Sequence, residues 1–229
     1  MRRVIVALTC AACLALPQGA SARVIELGSQ AQPANPSCPN DPCEAAVRVT
    51  GLQGRAAGGP KNPYYIRRSG WLVAFTVTLA RPTAEQIDFF NDNFGSPAQV
   101  RLSVLRRGDS RRTRLNYRLL RQSESFAVDD YLGSRPTFVL EEPLRVRRGY
   151  WVGITVDTWA PMFANNLPRS NWWRSSRGKT SCDPPRSLNQ FAMDDLGEVG
   201  VFGCTYHGAR LLYTVTYIPD NRRTSDEGR

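Results

Sequence analysis

The chain has 229 residues, a formal net charge of +10 and hydrophobic side chains at 41% of its positions. This length suits one domain with its own core rather than several domains. Nearly all of the positive charge is arginine, since Lys61 and Lys179 are the only lysines. Two interpretations of the charge stay open: a solvated basic surface, or a surface whose guanidinium groups bind the carboxylate, sulfate or phosphate groups of an anionic polymer.

Residues 1–22 have the pattern of a secretory signal peptide. Arg2 and Arg3 precede an apolar stretch at residues 4–16, and Ala20–Ala22 matches a small-residue cleavage site. The apolar stretch has about thirteen residues, fewer than the roughly twenty that a membrane span needs. The sequence therefore predicts a secreted, extracellular protein that is cleaved near Ala22 and then carries no integral membrane segment. Cleavage would leave 207 residues and a net charge of +8.

Four cysteines follow the predicted leader: Cys38, Cys43, Cys182 and Cys204. An even number in an exported chain predicts two disulfides, although four cysteines allow three pairings and free buried thiols are an alternative. We expect Cys38 to pair with Cys43 in a tight local loop and Cys182 to pair with Cys204. The cysteine spacings and the single histidine, His207, do not match zinc-ligand patterns, so we expect neither a metal nor a cofactor.

The first part of the exported chain is predicted to be irregular and then to form strands. Residues 23–44 contain four prolines and little hydrophobic periodicity, which predicts an irregular N-terminal arm. Residues 45–52 alternate and predict the first strand, followed by a loop at 54–63. The clearest alternation runs from Trp71 to Ala80 and places five residues on one face: Trp71, Val73, Phe75, Val77 and Leu79.

One short helix is predicted after this strand, with an ordered loop as the alternative. Thr83 is placed to cap it, Gln86 to reach back in a capping box, and Gly95 to end it.

Short strands follow the helix in close succession. Residues 100–104 and 115–119 predict a hairpin whose outer face is arginine, and 150–157 alternate as a half-buried strand should. Residues 219–229 are polar and charged, which predicts a disordered C-terminal tail. The remaining predicted strands lie within 138–146, 199–204 and 209–217. With eight to ten short strands, the predicted fold of residues 45–218 is all-β: an antiparallel β-sandwich, jelly-roll-like, with at most one short helix.

Several segments together resemble a known group of proteins. They are G-x-L-V-A-F-T-V-T-L at 70–79, T-W-A-P-M-F at 158–163, W-W-R-S-S-R at 172–177 and A-R-L-L-Y-T-V-T-Y at 209–217, with Cys182 and Cys204. The chain resembles secreted β-sandwich proteins of high-GC Gram-positive bacteria over residues 38–218. The resemblance implies a fold and export, but no activity, ligand or site.

The sequence contains none of the common motifs for nucleophilic, metal-assisted or phosphate chemistry, and we predict no catalytic residue. His207 has no local carboxylate to orient it as a base. A carbohydrate-active enzyme on the same scaffold is the alternative, and it would need two acids about 5–10 Å apart. The candidate acids are Asp129, Asp130, Asp157, Asp194, Asp195 and Glu198. Asp157 is the strongest of them because it lies beside Trp159 on the face opposite the predicted core.

The most aromatic loop of the chain, from Trp159 to Lys179, is the candidate binding site. Indole faces stack on sugar rings, and neighbouring guanidinium groups bind hydroxyl or acidic groups. A loop of this composition either binds a ligand or folds over the core as a lid. If it binds, adjacent Trp172 and Trp173 should point to opposite sides, one buried and one exposed with Arg174 and Arg177 near it. The predicted ligand-binding set is Asp157, Trp159, Trp172, Trp173, Arg174 and Arg177.

The predicted function is therefore that of an exported, non-enzymatic binding or structural module. Its expected partner is an extracellular glycan or anionic polymer. Nucleic acid is a weaker option, because export argues against it.

Overall fold

The computed structural model describes residues 23–183 and 186–221, and antiparallel strands dominate them. The predicted signal peptide lies outside the described residues. The described residues contain one α-helix, α1 (Ala84–Phe94), with 3-10 turns at Asp129–Tyr131, Lys179–Ser181 and Arg186–Asn189. The strands are β1 (Ile25–Leu27), β2 (Ala46–Arg55), β3 (Gly70–Val77), β4 (Gln99–Arg107), β5 (Asn116–Gln122), β6 (Phe126–Ala127), β7 (Thr137–Val146), β8 (Tyr150–Ala160), β9 (Phe163–Ala164), β10 (Trp172–Ser175), β11 (Val199–Val201), β12 (Cys204–His207), β13 (Arg210–Leu211) and β14 (Tyr213–Pro219).

Two sheets form the body of the fold. The smaller has the strand order β1-β14-β3-β7, and the larger has the order β11-β5-β4-β8-β2-β10-β12, with β6 also paired to β4. A further pair joins β13 to β9. The main core lies between the sheets, where Phe75 and Val215 of the smaller sheet share one apolar cluster with Leu102 and Ile154 of the larger. The predicted all-β antiparallel sandwich with one short helix is confirmed.

Helix α1 follows its predicted start and end. The Thr83 side chain accepts a hydrogen bond from the backbone N–H of Gln86, and the Gln86 side chain accepts one from the Thr83 N–H. Gly95 follows the last turn at φ 96°, a left-handed value that favours glycine, and its N–H donates to the Asn91 carbonyl at 3.0 Å. Phe90 and Phe94 are its buried side chains.

A second apolar cluster covers the outer face of the larger sheet. Leu105 and Trp151 are register partners in β4 and β8, whereas the adjacent Val104 and Val152 belong to the main core. Because neighbours in a strand point to opposite sides, strand β8 is buried on both faces rather than half-buried. The members of this outer cluster are Leu52, Leu105, Tyr117, Leu119, Trp151, Met193 and Phe202. The two strands of the predicted hairpin therefore bury opposite sides: Val100, Leu102 and Val104 belong to the main core, whereas Tyr117 and Leu119 belong to this outer cluster.

The predicted buried face of the Trp71–Ala80 strand is wrong in its first half. Leu72 is fully buried, whereas Trp71 is 42% exposed. Val73 is an extra residue of β3 relative to β14, since Leu72 and Ala74 pair with the consecutive Tyr217 and Thr216. Such a bulge reverses the alternation, so Phe75, Val77 and Leu79 are buried as predicted.

Both ends of the described chain are more ordered than the sequence predicts. The arm at 23–44 contains β1, which pairs with β14 at the edge of the smaller sheet. At the other end, β14 continues to Pro219, and Asp220 accepts two hydrogen bonds from Arg145, at 2.7 and 2.8 Å. Residues 219 and 220 of the predicted tail are therefore ordered, and residues 222–229 lie outside the described part.

The disulfide pairing is confirmed. Cys38 is bonded to Cys43, and Cys182 is bonded to Cys204, 22 positions later. The predicted single strand at 199–204 is instead two strands: β11 at one edge of the larger sheet and β12 at the other. In the residues the structure describes, no helix has the length and hydropathy required to cross a membrane.

Candidate functional site

The adjacent tryptophans of the aromatic segment lie in a strand rather than in a loop. Strand β10 pairs with β2 on one side and β12 on the other. Trp173 points into the core, where it is 4% exposed, stacks on Tyr206 with centroids 4.7 Å apart and meets Phe163 edge-on at 5.8 Å. Trp172 points to the opposite side and is partly exposed. The two indoles point to opposite sides, as predicted, because the backbone is extended, but Trp172 is only partly exposed rather than fully exposed.

The indole of Trp172 lies over a glycine of the neighbouring strand. A β-carbon on Gly54 would stand 1.9 to 2.4 Å from three atoms of the six-membered ring, so a larger residue would displace the indole. Arg174 lies two positions along β10 and therefore on the same face, with its guanidinium carbon 5.6 Å from the Trp172 ring centroid. Together, these residues form one wall of an open depression.

This depression, which we call the β10 groove, encloses about 340 Å³. Tyr117 and Trp151 of the outer apolar cluster add two further aromatic side chains to its lining. Arg107 at the end of β4, Arg114 before β5 and Lys179 after β10 add three cations to that of Arg174. The remaining lining residues are Leu52, Gln53, Gly54, Asn62, Leu115, Gly203 and Thr205.

The β10 groove carries positive charge that the protein does not neutralise. Its described lining contains four cationic side chains and no carboxylate. The ion pairs found in the described chain, Arg101–Asp157 and Arg145–Asp220, involve none of the four. Such a charge balance favours an anion as the groove's occupant.

The pKa shifts in the groove follow from burial and from these neighbouring charges. Burial lowers the pKa of Arg174, the charges of Arg107 and Arg114 lower it further, and Tyr117 opposes the change. Burial raises the pKa of Tyr117, while Arg107 and Arg174 act against that rise. A bound anion would relieve the repulsion among the three guanidinium groups.

The other residues of the predicted set lie away from the groove lining. The Asp157 carboxylate pairs with Arg101 at 2.7 Å and accepts a hydrogen bond from Ser125 at 3.1 Å. Trp159 is buried beneath α1, where its indole stacks on Phe90 at 4.9 Å and donates to Asn91 Oδ1 at 3.0 Å.

Arg177 is the clearest correction to the predicted set. Residues 173, 175 and 177 are all buried, so Arg177 shares the inward side of Trp173 rather than the outward side of Trp172. It is 6% exposed and donates to the Val47 carbonyl at 2.8 Å. Of the six predicted residues, the groove brings together Trp172 and Arg174, with Trp173 packed behind them.

The acids and the histidine considered from sequence also lie elsewhere. His207 is exposed, with Nδ1 3.4 Å from the Arg169 carbonyl oxygen, and it does not line the β10 groove. None of the acids Asp129, Asp130, Asp157, Asp194, Asp195 and Glu198 lines this groove either. The described groove therefore offers no pair of carboxylates for sugar hydrolysis.

Sequence reasoning missed Gly54, Arg107, Arg114, Tyr117 and Trp151 as groove residues. Two signals were available in the sequence. One is the presence of arginines at both ends of the predicted hairpin turn, and the other is a tryptophan on the face of the strand at 150–157 opposite the predicted core. They come together only through the order β5-β4-β8-β2-β10, which alternation within single strands does not specify.

Comparison with known proteins adds no relative: no family model, curated protein or solved structure matches the chain. The resemblance to secreted β-sandwich proteins of high-GC Gram-positive bacteria therefore stays a prediction.

Proposed function

We propose that this protein is an extracellular, non-enzymatic binding module whose β10 groove holds an anionic saccharide or a charged unit of a cell-surface polymer. One observation carries the proposal: an open groove is lined by the partly exposed indole of Trp172, by the largely buried rings of Tyr117 and Trp151, and by four cations, with no carboxylate among its described lining residues. Aromatic rings suit the C–H faces of sugars, and guanidinium forks suit carboxylate and phosphate oxygens.

Export is the second part of the proposal. The two disulfides are typical of proteins that fold in an oxidising compartment. The predicted signal peptide at 1–22 supports the same location, where polysaccharides and anionic polymers are the abundant ligands.

A binding titration of the mature protein tests the proposal. Hexagalacturonate and cellohexaose are matched in length and differ in charge, and we expect the anionic oligomer to bind more tightly. Trp172→Ala should weaken its binding about three- to tenfold, the range typical of a lost aromatic contact. Arg174→Ala should weaken the binding of hexagalacturonate much more than the binding of cellohexaose.

Trp71→Ala is the matched control. Trp71 is also exposed and also lies under a guanidinium group, with the Arg145 carbon 5.1 Å from its ring centroid, but it does not line the β10 groove. Equal loss of binding in both tryptophan variants would contradict the proposed site. Shortened sugars in the reaction mixture would instead favour the carbohydrate-active enzyme.

A further inference from the structure

A second basic depression adjoins the β10 groove on the far side of Trp151. It encloses about 370 Å³, and we call it the hairpin depression because the end of the β4–β5 hairpin forms one side. Arg106, Arg107 and Arg148 contribute its positive charge, and Tyr65 contributes an aromatic face. Neither Arg106 nor Arg148 belongs to the first groove or to the residues predicted from sequence.

The two depressions adjoin and share residues. Arg107 and Trp151 line both. Trp151 meets Tyr65 edge-on with centroids 5.2 Å apart, and it meets Tyr117 edge-on at 6.0 Å. Tyr65, Trp151 and Tyr117 therefore form a row of aromatic side chains that passes from one depression into the other.

The hairpin depression also has more positive than negative side chains in its lining. Its lining has three arginines and one described carboxylate, Asp109, which forms no ion pair within 4.0 Å in the described chain. Arg106, Arg107 and Arg148 are exposed. A ligand confined to the β10 groove would leave Arg106 and Arg148 without an anionic partner.

We propose that the two depressions form one binding path, and that the ligand is a linear polyanionic saccharide chain with charges on successive units. This inference rests on the proposed function and names the ligand's class and its direction across the protein. The chain would run from Trp172 and Arg174, past Arg107 at the shared boundary, to Arg148. Carboxylate and phosphate groups share the chemistry that these arginines recognise.

Dependence on ligand length tests the inference. Galacturonate oligomers of one, three and six units supply carboxylates, and a hexasaccharide that carries a phosphate group on each unit supplies phosphates. We expect affinity per molecule to rise from the monomer to the hexamer as the second depression is occupied. The logarithm of the affinity should fall more steeply with the logarithm of salt concentration for the hexamer, because more charges are engaged. The tighter of the two long polymers identifies the anionic group.

Arg148→Ala should weaken hexamer binding about two- to fivefold, as expected for an exposed charge pair, and reduce the salt slope by about one. It should leave monomer binding unchanged. Asp109→Asn should strengthen hexamer binding, because it removes the one described carboxylate of the path. Arg121→Ala is the control, since Arg121 is exposed on β5 and lines neither depression.

Each outcome decides something different. Equal affinities for monomer and hexamer, or an unchanged hexamer affinity in Arg148→Ala, would contradict ligand binding in the hairpin depression. Neither result would contradict the proposed function. Failure of all saccharide probes to bind overturns both. Tighter binding of a thymidylate hexamer than of either polymer overturns the saccharide class.

Discussion

The indole of Trp172 and the backbone of Gly54 lie in direct contact, so close that a β-carbon on Gly54 would stand 1.9 Å from Cζ3 of the ring. β-carbon contacts under 3.0 Å are essentially never seen in proteins, so this glycine is what permits the indole to lie so close to β2. The position of the groove's aromatic wall therefore depends on two residues that are 118 positions apart in the chain.

The first prediction concerns Gly54→Ala. The added methyl group should push the indole away from β2 and weaken hexagalacturonate binding as much as Trp172→Ala does. Both affinities are measured by titration. Gly178→Ala is the control, because a β-carbon there meets no atom within 4 Å. A Gly54→Ala protein that binds hexagalacturonate as tightly as the wild type would show that the contact between Gly54 and Trp172 is not needed for binding.

The second prediction separates the two adjacent tryptophans by stability. Trp173→Ala should lower the free energy of unfolding by about 3–5 kcal/mol, because it removes a buried indole packed against Phe163 and Tyr206. Trp172→Ala removes a partly exposed ring and should cost under about 1 kcal/mol. Urea unfolding measures both values. Similar losses in the two variants would contradict the assignment of Trp172 to the ligand side.

Local signals predicted the parts of the fold that depend on neighbours in sequence. Thr83, Gln86 and Gly95 specify the ends of α1, and the pairing of Cys38 with Cys43 needs only a short loop. The sequence also predicted that Trp172 and Trp173 point to opposite sides, although the two residues lie in a strand and not in a loop.

Features set by distant parts of the chain could not be predicted in the same way. The bulge at Val73 appears only when β3 is aligned with β14. The outer apolar cluster depends on Met193 and Phe202, which come from the segment after β10 and pack in the same cluster as Trp151 and Leu105. The candidate groove lies at the border of that cluster, so its lining was only partly visible from sequence.

The third prediction compares the two disulfides. In the loop-entropy model, replacing Cys182 and Cys204 by alanine should lower the free energy of unfolding by about 3 kcal/mol, and replacing Cys38 and Cys43 by about 2 kcal/mol. The difference follows from loop length, since the sequence separations are 22 and 5. Denaturant unfolding of the two double variants measures it. The reverse order of stabilities would contradict this account.

The fourth prediction concerns acid stability and the ion pair between Arg145 and Asp220. The hydrogen bonds from Arg145 hold the pKa of Asp220 below its ordinary value of 3.8. Because the pKa is lower in the folded state, the carboxylate stabilises the fold above the ordinary pKa. That contribution is lost as the pH falls through the lowered value.

Asp220→Asn should therefore reduce stability at neutral pH by at most about 1 kcal/mol, since both side chains are partly exposed. The variant should also lose less stability than the wild-type protein between neutral and acidic pH, because it has no carboxylate at this position to become protonated. Asp88→Asn is the control, because Asp88 lies on the exposed side of α1 and forms no ion pair among the described residues. A variant at Asp220 with the wild-type profile between neutral and acidic pH would show that the pair contributes nothing.

The most direct test of the β10 groove is an NMR titration that follows the indole N–H signals of the five tryptophans. Trp172 lies in the groove, whereas Trp159 is buried beneath α1 with its indole N–H bonded to Asn91, and Trp71 is exposed on the other sheet. We predict that hexagalacturonate shifts the Trp172 signal most, shifts Trp151 as well, and leaves Trp71 and Trp159 in place. A titration in which Trp172 stays unchanged while the ligand binds, or in which Trp71 shifts instead, would contradict the account.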